Sequence, residues 1–195
     1  MAEIDFWFDF ASPYAWFASS RIDDLAARYG YTTRWRPVLM WVLVRQHGIT
    51  PPLEIPARRA YFQTDMARSA AFFDMPYNPP PKLGAISTHL AARAFYHLDA
   101  TDTGRAKTLA RRLFHAYLSE GHDISDRATL AAVADLPEVV LAEALDGPTA
   151  RAALESANAQ AIATGVIGSP FFVIDNQGFF GADRLPQLEW HLARR

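Results

Sequence analysis

The sequence predicts an α/β domain, on three observations: a strand, helix, strand order within the first forty residues, a helix-rich middle, and a return of strand signals shortly before the end. Ile4–Phe10 alternates, with Ile4, Phe6, Phe8 and Phe10 on one face and Asp5, Trp7 and Asp9 on the other, as in a short strand. Ser12-Pro13 offers an N-cap hydroxyl followed by the residue best tolerated at the first helical position. Tyr14, Phe17, Ala18, Ile22, Leu25 and Tyr29 then share a helical face, so a helix is expected from Pro13 to Tyr29, ended by Gly30. The β-formers of Tyr31–Leu39 give a second strand, and the βαβ unit implies a right-handed crossover.

From about Met40 to Gly165 no second strand cluster is evident. Helices are expected over Pro56–Phe73, Ser87–Leu98, Thr103–Glu120, Ser125–Leu136, Pro137–Leu145 and Pro148–Ala163, with irregular stretches at Gly48–Pro56 and Met75–Leu83. The end reads as a strand at Phe171–Ile174, a turn at Asn176-Gln177-Gly178, a short strand at Phe179-Phe180 and a helix from Asp183 to Leu192. A chain of 195 residues fits one domain over 1–195, of which about 40–165 is a helical insertion.

Composition narrows the function. Half the residues are hydrophobic, which excludes a disordered chain, and 19 basic against 21 acidic residues leave no field for a phosphate backbone or an anionic membrane. The absence of cysteine excludes disulfide frameworks, thiolate metal sites and any thiol chemistry of the chain's own. The six histidines show no metal-binding spacing, so no metal is expected. Met1-Ala-Glu-Ile-Asp has no leader character and no stretch approaches the roughly 18 to 20 apolar residues that span a bilayer, which points to the cytosol.

Four segments can carry chemistry, and each has a plain structural reading beside it. Ser12 is a helix cap, or a hydroxyl that together with free helix N–H groups stabilises an anion or thiolate. Pro170, in Gly165-Val166-Ile167-Gly168-Ser169-Pro170-Phe171-Phe172-Val173, is a trans proline opening a strand or a cis proline. Asp183, in Phe180-Gly181-Ala182-Asp183-Arg184-Leu185, caps the last helix or binds a ligand. Arg45 is a solvated cation or an anion contact. Tyr61, Phe62, Phe72, Phe73 and Tyr77 belong either to the core or to a lid over a planar ligand.

In their order along the chain, Asp9-Phe10-Ala11-Ser12-Pro13-Tyr14, Arg36-Pro37-Val38-Leu39 and the Gly165–Val173 and Phe180–Leu185 segments resemble the 2-hydroxychromene-2-carboxylate isomerase family from end to end. That family is related to kappa-class glutathione transferases and to bacterial disulfide oxidoreductases. The resemblance implies a thioredoxin-like fold with a four-stranded mixed sheet and a large helical insertion, and a homodimer. Where the oxidoreductases hold Cys-x-x-Cys, this chain has Ser12-Pro13-Tyr14-Ala15, which excludes a redox pair.

What the resemblance further implies is glutathione as cofactor, with Ser12 as catalytic residue hydrogen-bonding its sulfur and a cis Pro170. The Ser169 backbone would pair with the cysteinyl part, Gly181 and Asp183 would lie at the γ-glutamyl end, and Arg45 would meet a carboxylate. The implied reaction is isomerisation of 2-hydroxychromene-2-carboxylate or a related small aromatic carboxylate by thiol addition, rotation and departure, without net redox change. A kappa-like transferase is the alternative within the same site. A non-catalytic thioredoxin-fold module is the other, because Ile49 and Ala182 stand where many members have asparagine.

Overall fold

The structure is a computed structural model that describes residues 2–80, 83 and 86–194. Strand β1 (Glu3–Phe8) leads through α1 (Pro13–Ser19) and α2 (Ile22–Arg28) to β2 (Thr32–Pro37). Seven helices follow among the described residues: α3 (Met40–Gln46), α4 (Pro56–Phe73), α5 (His89–Asp99), α6 (Thr103–Leu118), α7 (Arg127–Ala134), α8 (Glu138–Asp146) and α9 (Pro148–Thr164). The hairpin β3 (Phe171–Ile174) and β4 (Gln177–Phe180) and the helix α10 (Leu185–Leu192) close the chain. The four strands lie in the order β2-β1-β3-β4, with β1 parallel to β2 and antiparallel to β3, so the sheet is mixed.

The alternation of β1 builds two unequal layers. Ile4, Phe6 and Phe8 are fully buried on one face, where Phe6 stacks on Phe172 at 5.4 Å and Phe8 meets Phe95 and Phe114 from α5 and α6. Trp7 faces the other way, into a smaller cluster with Val38, Leu43, Ala157, Ala161, Val166 and Phe171. Burial of these large rings is the main source of stability, at about 25 cal/mol per Å² of apolar surface removed from water. No helix among the described residues is long and apolar enough to cross a membrane.

Three expectations need correction. The helix from Pro13 to Tyr29 is two helices, because Ser19 and Ser20 turn their hydroxyls back onto the carbonyls of Trp16 and Phe17 and the N–H groups of Ser20 and Arg21 bond three residues back. The turn in the last hairpin lies at Asp175-Asn176, both with positive φ, so β4 starts two residues earlier than its aromatic pair suggests. Asp183 is not a cap: it sits in a 3₁₀ turn over Ala182–Arg184, and its carboxylate pairs with the Arg184 guanidinium at 2.8 Å. The irregular stretch expected over Met75–Leu83 includes Pro81 and Lys82, which lie outside the described residues.

Candidate functional site

The site grows from the end of β1. Asp9 and Phe10 leave the strand, the Ser12 N–H donates to the Asp9 carbonyl at 3.0 Å, and Pro13 opens α1. Ser12 has extended backbone angles, and its Oγ accepts the Ala15 N–H at 3.2 Å as an N-cap does. The same hydroxyl donates to the Ser169 carbonyl, 2.9 Å away and 157 residues distant in sequence. Capping and contact with the proline loop are therefore one arrangement. The first turn of α1 leaves the Tyr14 N–H without an acceptor among the described residues, since the Trp16 N–H reaches the Ser12 carbonyl.

The opposite wall is the loop before β3. The Ser169–Pro170 peptide bond is cis, and the Pro170 carbonyl accepts the Gly181 N–H at 3.0 Å, which extends the β3–β4 ladder by one rung beyond Phe171 and Phe180. Gly181 has φ 109, a backbone conformation that strains any side chain and so favours glycine, and a Cβ there would also push the exposed Asp183 carboxylate aside. The 3₁₀ turn carrying Asp183 packs against α1, and Asp183 is exposed. Phe180, half exposed, lays its ring over Gly168 beside this loop.

The structure thus joins Ser12, Ser169, Pro170, Gly181 and Asp183 through direct contacts or packed neighbours. Arg45 stands apart. It is exposed in the last turn of α3, without an ion pair among the described residues, five positions beyond Met40 and so about 7.5 Å along the helix axis from the end that reaches the site. The aromatic group divides. Phe73 and Tyr77 pack on Phe17 in the core, and Phe72 is exposed. Phe62 and Tyr61 continue a row of rings from Tyr14, at 6.0 and 5.8 Å, on the α4 side of the site.

Two polar features were not singled out from the sequence. The Tyr14 hydroxyl donates to Asp65 Oδ2 at 2.6 Å, and Asp65 also receives Tyr61 and Arg68. Partial burial and the neighbouring carboxylate push the Tyr14 phenol far above its ordinary 10, so it stays protonated. Desolvation works against the Asp65 carboxylate, but the hydrogen bonds from Tyr14, Arg68 and Tyr61 outweigh it and hold its pKa below 3.8. The second feature is Asp9, 5% exposed, which accepts Ala11 N–H, Met40 N–H and Thr88 Oγ1–H at 2.9, 2.8 and 2.8 Å. Burial raises its pKa above 3.8 against the pull of these three donors.

Among the described residues no group of histidine, aspartate and glutamate side chains could hold a metal ion. Residues 3–193 match the family model for the DSBA-like thioredoxin domain. The chain belongs to the DSBA-like thioredoxin domain family. Within reach of this DSBA-like chain is a 2-hydroxychromene-2-carboxylate isomerase of Sphingobium xenophagum, 29% identical over 194 residues that cover 97% of each protein. Glutathione S-transferase kappa 1 of Caenorhabditis elegans is 26% identical over 94% of this chain and 88% of its own. The fold matches a solved 2-hydroxychromene-2-carboxylate isomerase with a TM-score of 0.84 at 23% identity, over 98% of this chain and 95% of that one.

Proposed function

We propose that the protein is a glutathione-dependent isomerase acting on 2-hydroxychromene-2-carboxylate or a related aromatic-degradation intermediate. The observation that carries this reading is the 2.9 Å contact between Ser12 Oγ and the Ser169 carbonyl, which sets a hydroxyl beside an extended backbone segment in a chain without cysteine. The likeness to an isomerase over 97% of both chains supports the reaction. Glutathione, when bound, supplies the nucleophilic thiol that the protein lacks.

The residues present fit that cofactor. Ser12 Oγ turns from the Ser169 carbonyl to donate to sulfur, with the uncommitted Tyr14 N–H in the same turn. The Ser169 N–H, without an acceptor among the described residues, and the Ser169 carbonyl pair with an extended peptide in the manner of an added strand beside Pro170. Asp183 meets an ammonium next to Gly181, and Arg45 offers a guanidinium fork to a carboxylate from the α3 side. The row of Tyr14, Phe62 and Tyr61 gives a planar substrate an apolar wall and excludes water. A homodimer in the cytoplasm goes with this reading, and light scattering of the purified protein checks its assembly.

The kappa-like relative favours one further reading, a glutathione transferase that uses the same groups and releases a conjugate. Titration with glutathione and with S-methyl glutathione, followed by tryptophan fluorescence and calorimetry, tests the cofactor. Product analysis with a hydroxychromene carboxylate then separates isomer from conjugate. Ser12→Ala is expected to lower turnover about 100-fold, the scale of losing one positioned donor. Absence of binding heat up to millimolar glutathione, or full activity in Ser12→Ala, overturns the proposal.

A further inference from the structure

The Asp9 carboxylate is bonded by neutral groups alone: the Ala11 N–H, the Met40 N–H and the Thr88 hydroxyl, from three segments of which the farthest lies 79 residues from it. No lysine, arginine or histidine side chain bonds to it among the described residues. Its main chain continues the connections. The Asp9 N–H donates to Ser169 Oγ at 2.9 Å and its carbonyl receives the Ser12 N–H at 3.0 Å, while Ser12 Oγ donates to the Ser169 carbonyl. One residue therefore closes a ring with Ser12 and Ser169 and pins the starts of α1, α3 and α5 against it.

Such an arrangement is costly for stability alone, because a desolvated charge without a cation is what folding ordinarily avoids. A carboxylate with two acceptor oxygens is, however, the side chain that satisfies two main-chain N–H groups and a hydroxyl converging on one point. We propose that Asp9 is a positioning residue of the thiol site, holding Ser12 Oγ and the Ser169 backbone in register and fixing the start of the helix that carries Arg45. This inference rests on the glutathione reading above.

The test uses the full chain, with glutathione and S-methyl glutathione as probes, in the parent, Asp9→Asn and Thr88→Val. An amide at position 9 turns an NH₂ group toward at least one main-chain N–H, so the junction shifts while its shape is kept. The ultraviolet difference absorbance of bound glutathione then shows its thiol ionising at higher pH than in the parent. The isomerisation kcat falls about tenfold or more, the scale of a sub-ångström misplacement, while affinity for S-methyl glutathione, which the shifted Ser169 backbone and Arg45 helix also touch, falls by a smaller factor. Thr88→Val moves both readouts the same way by less, because the two main-chain donors remain. Should Asp9→Asn not fold, Thr88→Val and Ser169→Ala, which leaves the Asp9 N–H without its acceptor, carry the same measurement.

A bound thiol that ionises at lower pH in Asp9→Asn overturns the proposal, since Asp9 would then act only as a charge opposing the thiolate. Variants matching the parent in both kcat and thiol ionisation overturn it as well, with the glutathione reading intact. A parent that binds no glutathione overturns that reading, and the positioning role falls with it.

Discussion

Two carboxylates anchor opposite ends of the β1–β2 pair, and they are solvated in opposite ways. Asp23 on α2 stands near Thr33, which lies opposite Ile4 at the beginning of β1, whereas Asp9 follows the end of that strand. Asp23 takes Lys107 at 3.0 Å, the Trp35 indole at 3.1 Å, the Thr33 hydroxyl and the Arg111 guanidinium, so α2, β2 and α6 share one ion cluster. Burial works to raise its pKa, but Thr33, Lys107 and Trp35 outweigh it and hold the carboxyl below 3.8. Asp9 has three neutral donors, and its pKa moves up. The charged cluster joins layers at the closed end of the sheet. The neutral one organises loops at the end where Ser12 and Ser169 meet, with no cation bonded to Asp9 among the described residues.

The largest effect separating the two ends is expected from Asp23→Ala. It removes the charge partner of the Lys107 ammonium, whose side chain is 17% exposed and which keeps only the Thr33 hydroxyl at 2.7 Å, and leaves the buried Trp35 indole N–H without its acceptor. Urea unfolding should show a loss of about 3 kcal/mol, mostly as a lower midpoint at unchanged slope. If the proposed glutathione site is correct, binding at the other end should survive wherever the variant is folded. A loss below about 0.5 kcal/mol would put this cluster on the footing of exposed ion pairs and remove the contrast.

The two ends were not equally legible in the sequence. The inward row Ile4, Phe6 and Phe8 is decided by alternation, and the starts at Pro56 and Pro148 and the stop at Gly30 by local backbone chemistry, so they could be read directly. Helix α3 could not. Its first N–H is satisfied by Asp9 and the preceding Leu39 N–H by Asn158, partners 31 and 119 residues away, and nothing near Met40 resembles a cap. The site behaves likewise. Ser12 could be read as a cap from Ser-Pro and, through resemblance, shared a ligand with Ser169, but their direct bond was not foreseen, and the role of Asp9 depends on Met40 and Thr88, which no local pattern links to it.

Smaller changes sharpen the picture at the site end. In Gly168→Ala the new Cβ would run into the Phe180 ring, which must swing away. The ring is half exposed, so it yields before the backbone does, at a cost of about 1–2 kcal/mol. Phe180→Ala in the Gly168→Ala background should recover most of this, as a double-mutant cycle would measure. Tyr14→Phe removes the 2.6 Å bond to Asp65 and should cost about 1 kcal/mol, read as a shift in thermal midpoint. Asp65 keeps Tyr61 and Arg68, so a much larger loss would mean that α4 is held chiefly by this bond.

The smallest effect is a change of slope, and it tests the comparison most directly. Asp23 has a folded pKa below the unfolded 3.8, so its stabilisation is present above 3.8 and is lost as pH falls through the folded value. Asp9 has a folded pKa above 3.8, so its contribution is complete below 3.8 and is lost as pH rises through the folded value. On the acid limb, stability therefore rises with pH because of Asp23 and in spite of Asp9. Asp23→Asn should flatten that limb below 3.8, and Asp9→Asn should steepen it above 3.8, each by at most about 1.4 kcal/mol per pH unit. Urea midpoints at a series of pH values on both sides of 3.8 give the two slopes. If both variants flatten the limb, the donors around Asp9 stabilise its charge as fully as the cations stabilise Asp23, and the distinction between a charged end and a neutral end of the sheet is lost.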